Sequence, residues 1–219
     1  SFEQNYRTPV TDEYTYGTSD LKSQLSNNLE LGIREYIGNT YLTVSIFNTI
    51  TQNEIYFNPA NGYYGTNENI DGNTERNGLE LSTKNYVGEF TISQAYTYLN
   101  AKIKDGVYEG KTIPWVPKNK YSIRTDYKIN DISIGAEYLY IGSLYSVSDW
   151  NNNLGKVEDY SLVNLSSSYN YKNINIYGGI NNIFNKEYNE YAVYSKNSGY
   201  ISYYPAEERN YFVGVLYEF

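Results

Sequence analysis

Tyr211-Phe212-Val213-Gly214-Val215-Leu216-Tyr217-Glu218-Phe219 closes the chain, with an aromatic or branched apolar side chain at every second position and a terminal Phe. Successive side chains of a β-strand point to opposite faces, so Tyr211, Val213, Val215, Tyr217 and Phe219 share one side. That side suits lipid, whereas the other, with Phe212, Gly214, Leu216 and Glu218, is mixed. A half-buried strand of a soluble sheet alternates as well, so the rest of the chain has to separate the two.

Upstream, the same contrast recurs. Leu29, Leu31 and Ile33 alternate with Asn28, Glu30 and Arg34, and Tyr121, Ile123, Thr125 and Tyr127 alternate with Ser122, Arg124, Asp126 and Lys128. Ile132, Ile134, Ala136, Tyr138 and Tyr140 oppose Ser133, Gly135 and Glu137; Ile174, Ile176, Gly178 and Ile180 oppose Asn175, Tyr177 and Asn181. Period-2 runs of this kind predict about ten strands, near 1–7, 27–36, 40–57, 76–87, 89–104, 119–129, 132–145, 159–171, 174–184 and 209–219. Several exceed the ~5 to 6 residues usual in globular sheets and reach the ~9 to 11 that a tilted membrane strand needs.

The predicted connections alternate in length. Short turns fall near Ile37-Gly38-Asn39, Val87-Gly88, Asn130-Asp131 and Lys172-Asn173, and long loops near 8–26, 58–75, 105–118, 146–158 and 185–208. Short turns at one rim and long loops at the other are the habit of outer-membrane β-barrels. The expected fold is therefore all-β: an antiparallel transmembrane β-barrel segment with one apolar and one hydrated face.

Composition agrees. Mean hydropathy is −0.63, and no stretch approaches the ~20 apolar residues of a membrane helix. The 29 Tyr suit surfaces that are part apolar and part wet. Cys, Met and His are all absent, which removes disulfides, thiolate or imidazole metal sites and catalysis built on His or Cys. A net charge of −8 argues against nucleic acid as a partner. Without Met, and with Ser1-Phe2-Glu3 unlike a signal peptide, the chain is expected to be a processed protein or a fragment.

Three groups of segments then carry a family resemblance. They are Tyr6-Arg7-Thr8-Pro9 with Thr11-Asp12-Glu13; Asn28-Leu29-Glu30-Leu31-Gly32, Asn53-Glu54-Ile55, Arg76-Asn77-Gly78-Leu79-Glu80 and Ile113-Pro114-Trp115-Val116-Pro117; and Asn181-Asn182-Ile183-Phe184-Asn185-Lys186-Glu187-Tyr188, Tyr204-Pro205 and Arg209-Asn210-Tyr211 leading to Phe219. In this order and spacing they resemble the C-terminal half of a TonB-dependent outer-membrane receptor. Each also has a local reading: Gly32 and Gly78 ease a bend or close approach within a strand, and Pro114 and Pro117 sit where no ladder donor is lost.

The resemblance implies that residues 1–219 are the last ten strands of a barrel of about 22 strands whose lumen is plugged, with the plug and the first barrel half lying outside this sequence. Taken alone, the ten strands are expected to form an open half-wall with both edges unpaired. The resemblance further implies active import of a scarce nutrient chelate, foremost a ferric siderophore, by binding and gated release rather than by an enzyme. No cofactor is implied. Cobalamin or haem import by the same family is the alternative, although no His is present for haem ligation. The implied partners are the chelate, the TonB-ExbB-ExbD complex acting through the plug, and outer-membrane lipid and lipopolysaccharide; the implied location is the bacterial outer membrane. Three other classes stay open on the residues alone: a passive porin-like channel, a small barrel enzyme, for which His is missing, and a soluble adhesin sandwich, which would bury its apolar faces against a second sheet.

Candidate ligand contacts are the loop aromatics Tyr63, Tyr64, Trp115, Trp150, Tyr191, Tyr194, Tyr200 and Tyr203, flat rings able to stack on a catecholate, corrin or porphyrin, or else to form the outer aromatic girdle. Arg7, Arg76, Arg124 and Arg209 are expected to face the lumen and pair with an anionic complex or with plug carboxylates. Asn67, Asn69 and Asp71, with oxygen side chains at alternate positions, are weak calcium candidates, as is Asp149-Trp150-Asn151-Asn152-Asn153. The adjacent Glu207 and Glu208 point apart on a strand entry and read as solvated charge.

Overall fold

The computed structural model describes residues 1–15, 20–58, 65–195 and 199–219, with Ser195 by its backbone alone. The elements run β1 (Phe2–Arg7), α1 (Thr11–Thr15), β2 (Gln24–Ile37), β3 (Thr40–Gln52), β4 (Ile55–Asn58), β5 (Thr66–Asn69), β6 (Thr74–Val87), β7 (Phe90–Ile103), β8 (Asn119–Ile129) and β9 (Ile132–Ile141). They continue with β10 (Leu144–Tyr145), β11 (Lys156–Val157), β12 (Tyr160–Tyr171), β13 (Ile174–Asn181), β14 (Asn189–Ser195), β15 (Tyr200–Pro205) and β16 (Asn210–Tyr217).

Ten of these strands form one sheet in the order β1-β2-β3-β6-β7-β8-β9-β12-β13-β16, each pairing antiparallel with the next wall strand along the chain. β1 and β16 are its two edges, and no ladder joins them among the described residues. The sheet is an open wall, as expected. Among the described residues, no helix is long and apolar enough to cross a membrane.

Directly opposed residues share a face, so the register shows where the apolar stripes go. Ile33, Val44, Leu81, Tyr96, Tyr121 and Tyr140 lie in one row across six strands. Lower down, Ile129, Ile132, Tyr169, Ile176 and Val215 form another. Every apolar stripe expected from sequence falls on this one surface. Ile33 is 67 % exposed and Val213 82 % exposed, and among the described residues no second sheet covers them, which removes the sandwich reading. An apolar surface of this extent marks contact with lipid or protein rather than water.

The belt is graded. On β7 the outer face reads Phe90, Ile92, Gln94, Tyr96 and Tyr98, so aromatic rings stand ~27 Å apart along the strand at 3.4 Å per residue. Phe90 packs on Tyr127 and Tyr217 on Phe219 near the short turns. Tyr96, Tyr121, Tyr138 and Tyr140 gather near the long loops, giving the two girdles of a membrane barrel. The opposite face is polar: Lys84, Ser93, Arg124, Glu137 and Asn164 form one of its rows. There Gly78 lies beneath the Phe47 ring, where an added Cβ would stand 2.2 Å from Cζ; the aromatic covers the backbone that the glycine leaves bare.

The four short turns have two residues each, and their first residues, Gly38, Gly88, Asn130 and Lys172, carry φ of 60, 57, 50 and 51°. Left-handed backbone is what a tight hairpin reversal demands. The predicted strand 40–57 stops at Gln52, because Asn53 turns left-handed (φ 53°) and β4 pairs with β5 as a separate hairpin. The predicted 132–145 likewise ends at Ile141, with Leu144 and Tyr145 pairing Val157 and Lys156. The predicted 174–184 ends at Asn181, before Asn182 at φ 51°. The long connections, expected as loops, contain α1 and the hairpins β4–β5, β10–β11 and β14–β15.

Candidate functional site

All the long connections gather at one rim, and the buried core of the molecule lies there rather than in the wall. Ile70, Ala101, Ile103, Ile113 and Trp150 form a buried cluster, with Tyr56, Leu99, Tyr108 and Val116 packed against it. The Trp150 and Tyr56 rings meet edge to face at 4.4 Å. Burial first, then the Glu68 carboxylate, pushes the Tyr56 hydroxyl well above its ordinary range, and the hydroxyl donates to Glu68 Oε2 at 3.1 Å.

Side chains that imitate the backbone stitch these loops together. Asn152 Oδ1 accepts from the Thr112 amide (2.6 Å) while its Nδ2 donates to the Thr112 carbonyl (3.0 Å). Asn69 does the same to Lys22, at 2.7 and 2.9 Å, and Asn182 to Lys186, at 2.8 Å for both bonds. Two Asp-Gly turns clasp reciprocally: Asp105 Oδ1 accepts from the Asn73 amide (2.7 Å) and Asp71 Oδ2 from the Val107 amide (3.1 Å). Gly72 (φ +107°) makes the clasp possible, since a Cβ there would stand 2.0 Å from the Asp105 carbonyl oxygen.

The predicted aromatics separate into groups. Tyr63 and Tyr64 lie outside the described residues. Trp150 is 8 % exposed and belongs to the loop core, so its ring is spent on packing. Trp115, at φ 59°, sits 5.3 Å from the Tyr191 ring, which in turn meets Tyr204 at 5.6 Å. In the β14–β15 hairpin Tyr194 opposes Ile201 and Ala192 opposes Tyr203, so Tyr194 and Tyr203 share one face while Tyr191, Tyr200 and Tyr204 share the other. Tyr200 and Tyr203 are exposed.

The arginines are already paired. Arg76 holds Glu54 through two bonds, 2.8 and 2.6 Å, and Thr74 also bonds that carboxylate. Arg124 holds Asp126 at 2.9 and 2.6 Å and reaches Ser166 Oγ at 3.2 Å. Arg7 bonds Glu13 and Gln24. These three stand on the polar face of the sheet. Arg209 precedes β16; its amide donates to Asn185 Oδ1 (2.8 Å) and its guanidinium to the Ile183 carbonyl (3.3 Å). It ties the start of β16 to the turn at Ile183–Asn185.

The calcium candidates are occupied as well. Asn67 and Asn69 lie on β5, where Asn67 donates to the Glu13 carbonyl and Asn69 to the carbonyls of Lys22 and Asn53, and Asp71 serves the clasp. The Asp149 carboxylate accepts from the amides of Asn153 and Leu154. No group of three or more His, Cys, Asp or Glu that could hold a metal occurs among the described residues.

What the sequence reading missed is a cleft of 310 Å³ between the last two loops, lined by Lys156, Glu158, Tyr160, Lys186, Tyr188 and Tyr203 among others. Tyr160 and Tyr188 stack in it at 4.4 Å. Burial, then the charges of Glu190 and Glu207, raises the Tyr188 hydroxyl above its ordinary value. Tyr188 stood within a segment quoted for the family resemblance; nothing in the sequence marked its pairing with Tyr160.

An open ten-stranded segment of a transmembrane β-barrel, with an apolar outer belt and a stitched loop layer at one rim, defines the structural class. Residues 1–183 match the family model for the TonB dependent receptor-like β-barrel, and the chain belongs to that family. It is 27% identical over 208 residues to the catecholate siderophore receptor Fiu of Escherichia coli K12, covering 88% of this chain and 26% of that protein. The closed-form crystal structure of that receptor superposes with a TM-score of 0.75 at 23% identity, covering 100% of this chain and 32% of the receptor chain. The vitamin B12 transporter BtuB of Vibrio vulnificus is 26% identical over 208 residues, 93% of this chain and 31% of that protein. The copper transporter OprC superposes with a TM-score of 0.83 at 17% identity, over 100% of this chain and 36% of that one. The chain thus spans about a quarter to a third of these relatives. Structural likeness at such identities shows the shared wall and does not choose among ligands.

Proposed function

We propose that residues 1–219 are the C-terminal ten strands of a plugged outer-membrane barrel that imports a ferric siderophore, most closely a ferric catecholate, with energy coupling through TonB-ExbB-ExbD. The observation that carries the reading is the 27% identity to a catecholate siderophore receptor across 88% of the chain. Trp115, Tyr191, Tyr194, Tyr200 and Tyr203 are the rings in position to meet a chelate from the loop side, and the Tyr160–Tyr188 cleft adds two more. Trp150, packed in the loop core, is left out of the proposed set. Because Arg76 and Arg124 already hold carboxylates within this chain, they shape the polar wall and leave the chelate's charge to other cations.

The test is uptake of radiolabelled ferric catecholate by bacteria that lack their own catecholate receptors and express the full-length gene. Accumulation that requires TonB is expected, with unlabelled cobalamin failing to compete. Uptake that persists without TonB would move the protein to the passive-channel reading, and TonB-dependent uptake of cobalamin alone would move it to the cobalamin importers.

A further inference from the structure

Two tyrosines touch Trp150 in the loop core, and their surroundings differ. Tyr56 meets the indole edge to face at 4.4 Å, whereas Tyr108 lies at 6.2 Å. Across the β4–β5 hairpin Tyr56 stands directly opposite Glu68, and its hydroxyl donates to Glu68 Oε2 at 3.1 Å. Asn58 donates to the same oxygen at 3.2 Å and Thr66 to Oε1 at 3.0 Å, which holds the carboxylate toward the phenol. Among the described residues no carboxylate is hydrogen-bonded to Tyr108. The Trp150 Nε1–H is buried and has no acceptor among them. Ile70, Ile103 and Ile113 make the surroundings of the indole apolar. Cys, Met and His are absent from all 219 residues, so within this chain no sulfur competes as the oxidisable group.

We infer that Trp150, Tyr56 and Glu68 form a proton-coupled electron-transfer unit that converts an oxidised Trp150 into a neutral tyrosyl radical on Tyr56. The oxidant is a one-electron acceptor of the carbonate-radical class, which takes one electron from the indole and leaves a radical cation. That cation cannot shed its Nε1 proton, because an indole N–H only donates and no acceptor faces it. A bare charge in an apolar site is costly. One electron then passes from Tyr56 to Trp150 while the phenol proton passes to Glu68 Oε2, within the reach required of a general base. The indole is restored, and a buried cation and a carboxylate anion give way to a neutral phenoxyl and a neutral acid. A soluble enediol reductant closes the cycle by supplying one electron, and Glu68 returns the proton. Tyr108 lacks the step for want of a base. The unit lies outside the rings proposed to meet a chelate and is independent of which ligand is imported.

The test uses the full-length protein in oxygen-free buffer. An ultraviolet flash ionises its tryptophans, ferricyanide takes up the ejected electrons, and a nitroso spin trap caps tyrosyl radicals. Peptide mass spectrometry then locates trap adducts and oxidised tryptophan. The wild type is expected to carry the adduct on Tyr56 and to keep Trp150 intact. Tyr56→Phe keeps the ring and lacks the O–H, so it should lose the adduct and accumulate oxidised Trp150. Trp150→Phe should lose the Tyr56 adduct as well, because the hole has no entry. Glu68→Gln keeps an acceptor but cannot take the proton, and should move the damage to Trp150. In deuterium oxide, oxidation of Trp150 should rise in the wild type and not in Tyr56→Phe, a signature that altered packing would not produce. The heat-dependent gel shift of the barrel and the protease resistance of the rim read folding. If Glu68→Gln loses either, Tyr56→Phe and the isotope effect carry the test. An adduct on Tyr108 in place of Tyr56, equal Trp150 oxidation in the wild type and Tyr56→Phe, or indifference to deuterium oxide would each overturn the unit.

Discussion

Along the wall, Ile33, Ile134 and Val213 lie exposed and backbone ladders do the joining; in the loop layer Ile70, Ile103 and Ile113 are buried and side-chain amides do much of it. The same residue types thus serve opposite ends. In lipid there is little to gain from burying an isoleucine behind the sheet, whereas every unpaired backbone group is costly, so the wall is built from hydrogen bonds and presents its apolar side chains outward. At the loop rim water is the solvent, and an ordinary apolar core regains its value. The difference teaches that a side-chain truncation should unfold the rim while sparing the wall.

Trp150→Ala puts that contrast to its hardest test. It removes the central ring of the loop core, a change that costs about 3–5 kcal/mol in a packed site, and the loss should stay local. In the full-length protein we expect protease cleavage within 104–116 and 146–154, with the heat-dependent gel shift of the barrel unchanged. Trp150→Phe should cost less, because the indole Nε1 has no hydrogen-bond partner among the described residues to lose. If Trp150→Ala unfolds wall and rim together, the two regions are one cooperative unit and the comparison fails.

A smaller effect separates the asparagines. Asn152→Leu strips both bonds from the Thr112 peptide and leaves its amide and carbonyl unpaired, for a loss of about 1–3 kcal/mol. Asn175 on the wall bonds only the exposed Asn170 side chain, so Asn175→Ser should stay within about 0.5 kcal/mol. Amide hydrogen exchange at Thr112 reads the first, and thermal inactivation compares the two. Equal effects would mean that asparagine contributes to wall and rim alike.

The wall was legible because its causes are local. Period-2 patterns in segments such as 121–127 and 132–140 place side chains on faces without reference to any partner, and the left-handed first residues of the short turns fall where Gly or Asn stands, Lys172 excepted. The rim was not legible for the opposite reason. Asn152 meets Thr112 across 40 residues and Asn69 meets Lys22 across 47, and nothing in either neighbourhood announces the other. Trp150 looked like a ligand platform because an aromatic in a polar loop reads as exposed, until Ile70 and Ile113 arrive from other loops to bury it. Ile55, Tyr56 and Phe57 continued the pattern of β3 past Asn53, yet their ladder partner is β5. Arg209 was placed inside the predicted last strand, but the ladder starts one residue later.

The smallest effect concerns Glu13, where the edge strand meets the rim. Its carboxylate bonds Arg7 and accepts from the Val10 amide at 2.9 Å, the reach-back of a helix N-cap that here fastens α1 to the end of β1. Burial alone would push its pKa up; the bond to Arg7, the Val10 amide and the arginine's charge outweigh that and hold it below the ordinary carboxylate value. A carboxylate whose folded pKa is depressed adds stability that is fully present above its unfolded value and is lost as pH falls through the folded one. The clasp should therefore be indifferent to pH near neutrality and open only below the ordinary carboxylate range. Hydrogen exchange across 10–15 should accelerate there in the wild type and show no such step in Glu13→Gln, which has no charge to lose. Opening at or above the ordinary carboxylate pKa would mean that burial wins over Arg7, and that the rim at this edge is held by packing rather than by the ion pair.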